Sequence, residues 1–507
     1  MSPGTLTRLA LAGNRTDAAR VALTALSAAL ATLAGLAALT VLAIQKPPGD
    51  AWQQSEQYVN ALLREPGLRG GTAFALLMLA IPVLALAGQS ARLGAPSRDR
   101  RLAAVRLAGA TPGQVTRIVM LETGLASLVG TLVGLAAYLV GRELLHRPDA
   151  NGQLALPTDV LPWVPGMAAV VLGLPLVAAA ATAVMLRRVT ATPLGVFRRA
   201  GRSGSPRPWP ALLIGFGILA AAMVEPIQQA FQGTRLDWVA MVALIGLFAA
   251  VMGVILGAGW LSYLAGRVLH RFARRPAVLL AARRLADDPW ASSRTFAALL
   301  AVVIVGAGAA AFRASAVLNG RLQWEQDRQT GYADEAGSYS SFYLTTLDLI
   351  DLAVAVAVAI ATAGLLVTLV EGIVSRRRAY AALVATGVPR STIGTSILWQ
   401  VLTPVVPAVL VALGVGYAIG RLFTGDSVSG GYTQEVCRAT VELCQNPATR
   451  AEHVELIEVD RVVHTPDVPL EQLALLGAGA VAAVLLTVGL GVLFLRSNTA
   501  LEELRAS

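Results

Sequence analysis

The sequence predicts an all-α integral membrane protein of about ten transmembrane helices, built as two parallel four-helix repeats joined by two extra helices. Three observations carry this. The chain has 507 residues, of which 55% are hydrophobic and only 14% charged, a balance that cannot clothe a water-facing surface. Apolar runs recur, each near the roughly 20 residues that a helix needs to cross a hydrocarbon layer about 30 Å thick. Stretches from the two ends of the chain also align with each other residue by residue.

Backbone groups in hydrocarbon must pair internally, and the runs lack the alternation of barrel strands, so helices are expected. The runs cover approximately 20–44, 72–91, 119–141, 164–186, 210–230, 238–266, 291–314, 348–371, 397–423 and 471–495. The first is too long for a signal peptide, and Gln45-Lys46-Pro47-Pro48 is no small-residue cleavage site. Glu225 and Pro226 interrupt the fifth near one end. An even number of spans puts both termini on one side. Arginine gathers there, as at Arg98, Arg100, Arg187, Arg188 and Arg377, while Glu452, Glu455, Glu458 and Asp460 lie opposite. Arginine excess marks the cytoplasmic face, so both termini are expected in the cytoplasm. The formal charge of +10 is then a consequence of topology. Its partner is the membrane lipid headgroup, and no nucleic acid is expected. The near-complete replacement of lysine by arginine points to a bacterium, and hence to a bacterial plasma membrane.

The repeat is gapless over 11–26 and 285–300, where Leu11 matches Leu285, Arg20 matches Arg294 and Leu26 matches Leu300. Residues 97–122 match 375–400, with Ser97 on Ser375, Arg100 on Arg378, Gly109 on Gly387 and Val115 on Ile393. The next spans end alike, at Tyr138, Gly141 and Arg142 and at Tyr417, Gly420 and Arg421. This divides the chain into a first half (1–200), a linker with two connecting spans (201–275) and a second half (276–507). The segment 187–211, rich in Arg, Gly, Ser and Pro, reads as a cytoplasmic linker.

Each half carries a short cytoplasmic helix between its second and third spans. In the first, Arg98, Arg101 and Arg106 surround Leu102, Val105 and Leu107. Gly109 then ends the helix, Ala110 follows, and Pro112 suits the start of the next. The second runs from Arg378 through Leu383 and Val384 to Gly387, Val388 and Pro389. A helix, glycine turn and helix leading straight into a span can carry a push from a cytoplasmic partner into the membrane. An interfacial helix snorkelling arginines to lipid phosphates has the same composition. Duplication of the whole element favours the partner.

This segment resembles the hallmark stretch of the FtsX-like permeases, the membrane subunits of MacB/FtsX-type ABC transporters. It reads Arg101-Leu-Ala-Ala-Val-Arg106-Leu107-Ala-Gly109-Ala110-Thr111, with Glu122 near the start of the span. The second copy departs from it, with Val388-Pro389 for Ala-Thr and Gln400 for Glu. The resemblance implies a separate cytoplasmic ABC ATPase, in two copies, docked on 98–117 and 376–395 and carrying the ATP and magnesium. It also implies efflux or removal of an amphiphilic compound or peptide. The ten-span form is similar to the Bce-type permeases, except that the outer loop 315–347 is too short for their large extracellular domain.

The chain itself is not expected to be an enzyme. Its single lysine, Lys46, sits in no phosphate-binding loop. His146, His270, His453 and His464 are scattered without ligand spacing, so no cofactor or metal is expected in this chain. Cys437 and Cys444 share the outer loop 424–470, where the oxidising side permits a disulfide; two free thiols are the alternative. Asp348, Asp351, Glu122 and Glu371 fall near span ends, where interfacial anchoring is expected over substrate or proton handling. The nearly uncharged membrane interior disfavours an ion-driven secondary transporter. The small outer loops disfavour the other alternative, mechanotransmission to an extracellular partner. Gly130 and Gly134, Gly253 and Gly257, and Gly416 and Gly420 mark close helix approaches.

Overall fold

A computed structural model describes residues 15–45, 54–66, 69–73, 75–77, 79, 83, 102–190, 207–224, 226–227, 237–290, 296–330, 333–375, 377–430, 432–437 and 453–498. In the first half, α1 is Arg15–Ala43, α2 the single turn Ala61–Arg64, α3 Pro112–Leu145 and α4 Val164–Thr190. The connecting helices are α5 (Pro210–Ala222) and α6 (Asp237–Phe272), followed by the amphipathic α7 (Pro276–Asp287). The second half holds α8 (Ala297–Thr330), α9 (Ala333–Ser375), α10 (Arg377–Ala385), α11 (Arg390–Thr424) and α12 (Leu470–Asn498).

Among the described residues, 8 helices are long and apolar enough to cross a membrane. Most of the expected second span lies outside the described residues, and those described within it are helical. In the fifth, α5 has 13 residues; after a turn at Met223 the described residues Val224, Pro226 and Ile227 are again helical, with the Ile227 N–H donating to the Met223 carbonyl at 3.1 Å.

Two segments expected on the outer side differ from expectation. The stretch 315–347 was expected as a loop; instead α8 runs to Thr330 and α9 begins at Ala333. Arg321, Gln323, Glu325 and Arg328 are polar but favour helix, and no proline interrupts them. The 424–470 loop holds β1 (Ser427–Ser429), β2 (Tyr432–Cys437), β3 (Val454–Val459) and β4 (Val462–His464). β1 pairs antiparallel with β4 and β2 with β3, in the register Tyr432 to Val459 and Cys437 to Val454.

The two halves use the same helix pairings: α1 packs on α3 and α4 as α8 packs on α11 and α12, and α3 packs on α4 as α11 packs on α12. In both, two helices meet where glycine leaves the backbone bare. A Cβ at Gly130 or Gly134 would strike the carbonyl oxygen of Ala25 or Ala29, and one at Gly416 or Gly420 that of Ile304 or Gly308. Gly253 meets Ile214 and Pro210 in the same way. These motifs therefore close contacts within the chain. The connecting helices side with the second half, because α5 and α6 pack on each other and on α11. Its core runs continuously from Ala250 and Val254 through Leu300 and Ile304 to Val405, Val409 and Val484.

Candidate functional site

The duplicated turn is built from local sequence. In the first half, residues 102–107 form a short helix. Gly109 closes it at φ 93°, a value that costs a residue with a Cβ but not glycine. Its N–H donates to the Arg106 carbonyl at 2.9 Å, and the Ala110 N–H donates to the Val105 carbonyl at 3.2 Å. These are the two bonds of a Schellman closure, which satisfies carbonyls that the helix end would otherwise orphan. The chain turns at once into α3. There the Gln114 N–H donates to the Thr111 hydroxyl at 3.3 Å and the Thr111 N–H to the Gln114 side-chain oxygen at 3.0 Å, a capping box ahead of Pro112.

The second copy repeats the closure. Gly387 has φ 89°, its N–H donates to the Val384 carbonyl at 3.0 Å, and the Val388 N–H donates to the Leu383 carbonyl at 3.0 Å. Here Pro389 stands at the N-cap of α11 and gives no side-chain cap. The residue types differ around the glycine, yet the hydrogen-bond pattern is the same.

Surroundings separate the copies. Leu102, Val115 and Val119 form a small buried cluster against which Ala110 packs. Val105 and Arg106 are half-buried and Gly109 is exposed. Leu107 stands at the tip with 91% of its surface exposed, more than any other large apolar side chain among the described residues. In the second copy, Leu383, Val384 and Val388 pack on the main core beside Tyr380, Ile393 and Ile397. Arg378 lies within α10; Arg98 and Arg101 lie outside the described residues.

Two anchors were not legible in the sequence. At the base of the first half, Arg20 of α1 forms a buried ion pair with Glu122 of α3, each side chain 5% exposed. Glu122, expected at the interface, is thus buried, because its partner comes from the neighbouring helix. At the second turn, Arg284 of α7 donates to the Tyr380 hydroxyl at 3.1 Å and lies 5.2 Å from its ring centroid, a cation–π contact. The repeat alignment had shown Arg20 and Glu122 singly, but no spacing says that they meet.

The other candidates lie apart from the turns. Asp348 and Asp351 both accept from Arg313 of α8, at 2.8 and 2.5 Å. Cys437 is disulfide-bonded; Cys444 lies outside the described residues. His464 pairs with the Ser429 hydroxyl at 3.0 Å. No group of three or more possible metal ligands occurs among the described residues. At the end of the first half opposite the turn, Tyr58 is fully buried between Leu63, Ala73 and Leu154. Its hydroxyl donates to Asp159 at 2.8 Å, and burial pushes its pKa up to about 12. Arg69 ties the same cap to the carbonyls of Leu63, Ile44 and Gln45, and burial lowers its pKa.

A family model described as FtsX-like permease C-terminal matches residues 72–194 and 352–500. Each matched stretch contains one of the two turns, at Gly109 and Gly387. No curated protein and no solved structure matches the chain.

Proposed function

The chain belongs to the FtsX-like permease family and is a multi-pass transmembrane permease component of an ABC-type transporter; from that premise we propose that it couples ATP hydrolysis by a separate cytoplasmic ATPase to efflux or removal of an amphiphilic compound or peptide. Two ATPase copies dock on the two turns, and nucleotide-driven closure between them tilts the helices that the turns feed. ATP and magnesium belong to that partner. On this reading the membrane is the plasma membrane of a bacterium and both termini are cytoplasmic.

The observation that carries the proposal is the paired Schellman turn, rigid in backbone and joined without slack to α3 and α11. Leu107 supports the docking role, because an apolar tip in water gains by burial in a partner's groove. Efflux is favoured over force transmission because the described segments on that side are the small Tyr58 cap, two small sheets and the polar ends of α8 and α9, which give an enzyme little to grip.

Co-purification of the ATPase tests this. Leu107→Ala removes apolar area without touching the core, so it weakens ATPase association by about tenfold or more, taking about 1.5–3 kcal/mol for a buried leucine. Retention of the ATPase by Leu107→Ala and by variants at Gly109, Val384 and Gly387 alike would remove the docking surface. Transport by the purified chain with no nucleotide-consuming partner would replace the proposal with ion-driven transport.

A further inference from the structure

We propose that a cavity between the last turn of α6 and α7 is a binding site for the headgroup of an anionic phospholipid. The cavity has a volume of about 820 Å³, and its charged lining is Arg267, Arg271 and Arg283, with His270 beside them and Asp287 as the one acid. None of the three arginines forms an ion pair among the described residues. Arg267 stacks over Tyr263 at 5.9 Å. The site therefore gathers three arginines against one acid, at a span end, where basic pockets hold lipid phosphates.

The apolar surface of the same two helices decides between a lipid and a soluble anion. Val268 in the lining is 57% exposed, and Phe272 of α6 and Leu279 of α7 are 72% and 37% exposed, apolar surface that water disfavours and acyl chains cover. α7 buries Ala277, Ala281, Ala282 and Leu285 against the bundle, one face of a helix lying along the interface. A headgroup held between Arg267 and Arg283 would bridge α6 to α7. Since Arg284 on α7 holds Tyr380, occupancy would bear on the second turn. That consequence rests on the transport reading; the binding itself does not, so the test below uses no ATPase.

Native mass spectrometry of the full chain in detergent, titrated with phosphatidylglycerol or phosphatidylcholine, reads the site. Phosphatidylglycerol should bind preferentially. The R267Q/R283Q variant should bind it about thirtyfold more weakly, at roughly fivefold per arginine. R267K/R283K should retain most of the affinity, which guards against a misfolded variant. R147Q/R461Q removes the same charge at exposed positions outside both turns and outside this cavity and should change little. Unchanged binding in R267Q/R283Q, or an equal loss in R147Q/R461Q, would overturn the proposal. So would displacement of the lipid by equimolar glycerol phosphate, which would mark a soluble-anion site.

Discussion

The two turns share a backbone and differ in how they are anchored. Gly109 and Gly387 close their helices with the same pair of hydrogen bonds. The first turn is then held by a three-residue cluster, near a buried Arg20–Glu122 pair at the base of its half. The second is built into the main core and clamped from the side by Arg284. The tips differ too, with Leu107 in one and Ala385 in the other, both exposed. Local sequence thus fixes the shape of the turn, while neighbouring helices fix what it is mounted on. The turns are equivalent in backbone and unequal in their mountings, since among the described residues the connecting helices α5 and α6 pack on the core of the second half.

The largest expected effect breaks the mounting of the first half. Glu122→Ala takes the buried carboxylate partner from Arg20, at a cost of about 3–5 kcal/mol, whereas the double variant R20M/E122L, which removes both charges together, costs less. The aligned position in the second half is Gln400, half-buried, and Gln400→Ala costs about 1 kcal/mol or less. Thermal unfolding in detergent compares the three. Equal melting of Glu122→Ala and Gln400→Ala would erase the asymmetry.

The ends opposite the turns sharpen the same contrast, one capped by a buried tyrosine and the other by two small sheets. Tyr58→Phe removes hydrogen bonds to Asp159 at 2.8 and 3.0 Å, worth about 1.5–3 kcal/mol for a charged acceptor. It should also change the alkaline limit. The folded state holds the phenol proton up to about pH 12, against the ordinary 10, so the unfolded chain releases it first. The tyrosine's contribution is therefore complete below pH 10 and is lost as pH rises through about 12. Stability curves from pH 9 to 12 for wild type and Tyr58→Phe should converge at the alkaline end. A constant gap across that range would mean that the hydroxyl does not titrate with the cap.

Much of this was legible in the sequence, because hydrocarbon imposes strong rules. Span positions follow from apolar length, and the turns follow from Gly109 and Gly387 standing before a proline or near one. The buried pairs were not legible, since Arg20 and Glu122 lie 102 residues apart and only the α1–α3 packing joins them. The helical extension of α8 and α9 was missed because polarity was read as a loop signal, when glutamine, glutamate and arginine are good helix formers. The two sheets were missed for the opposite reason: strands of 3 and 6 residues have too little length for alternation to register.

The smallest expected effect tests whether the turns are equivalent in their backbone. A Cβ at either Gly109 or Gly387 would meet nothing within 4 Å, so Gly→Ala at each position carries no packing cost. What remains is the price of a left-handed conformation, about 1–2 kcal/mol per residue. Gly109→Ala and Gly387→Ala should therefore lower stability by the same amount, even though one turn sits on a small cluster and the other on the main core. Equality would show that each turn is a self-contained local structure. A markedly larger loss at Gly387 would mean that the core and Arg284 force that turn's conformation on the chain, and the turns as well as their mountings would then be unequal.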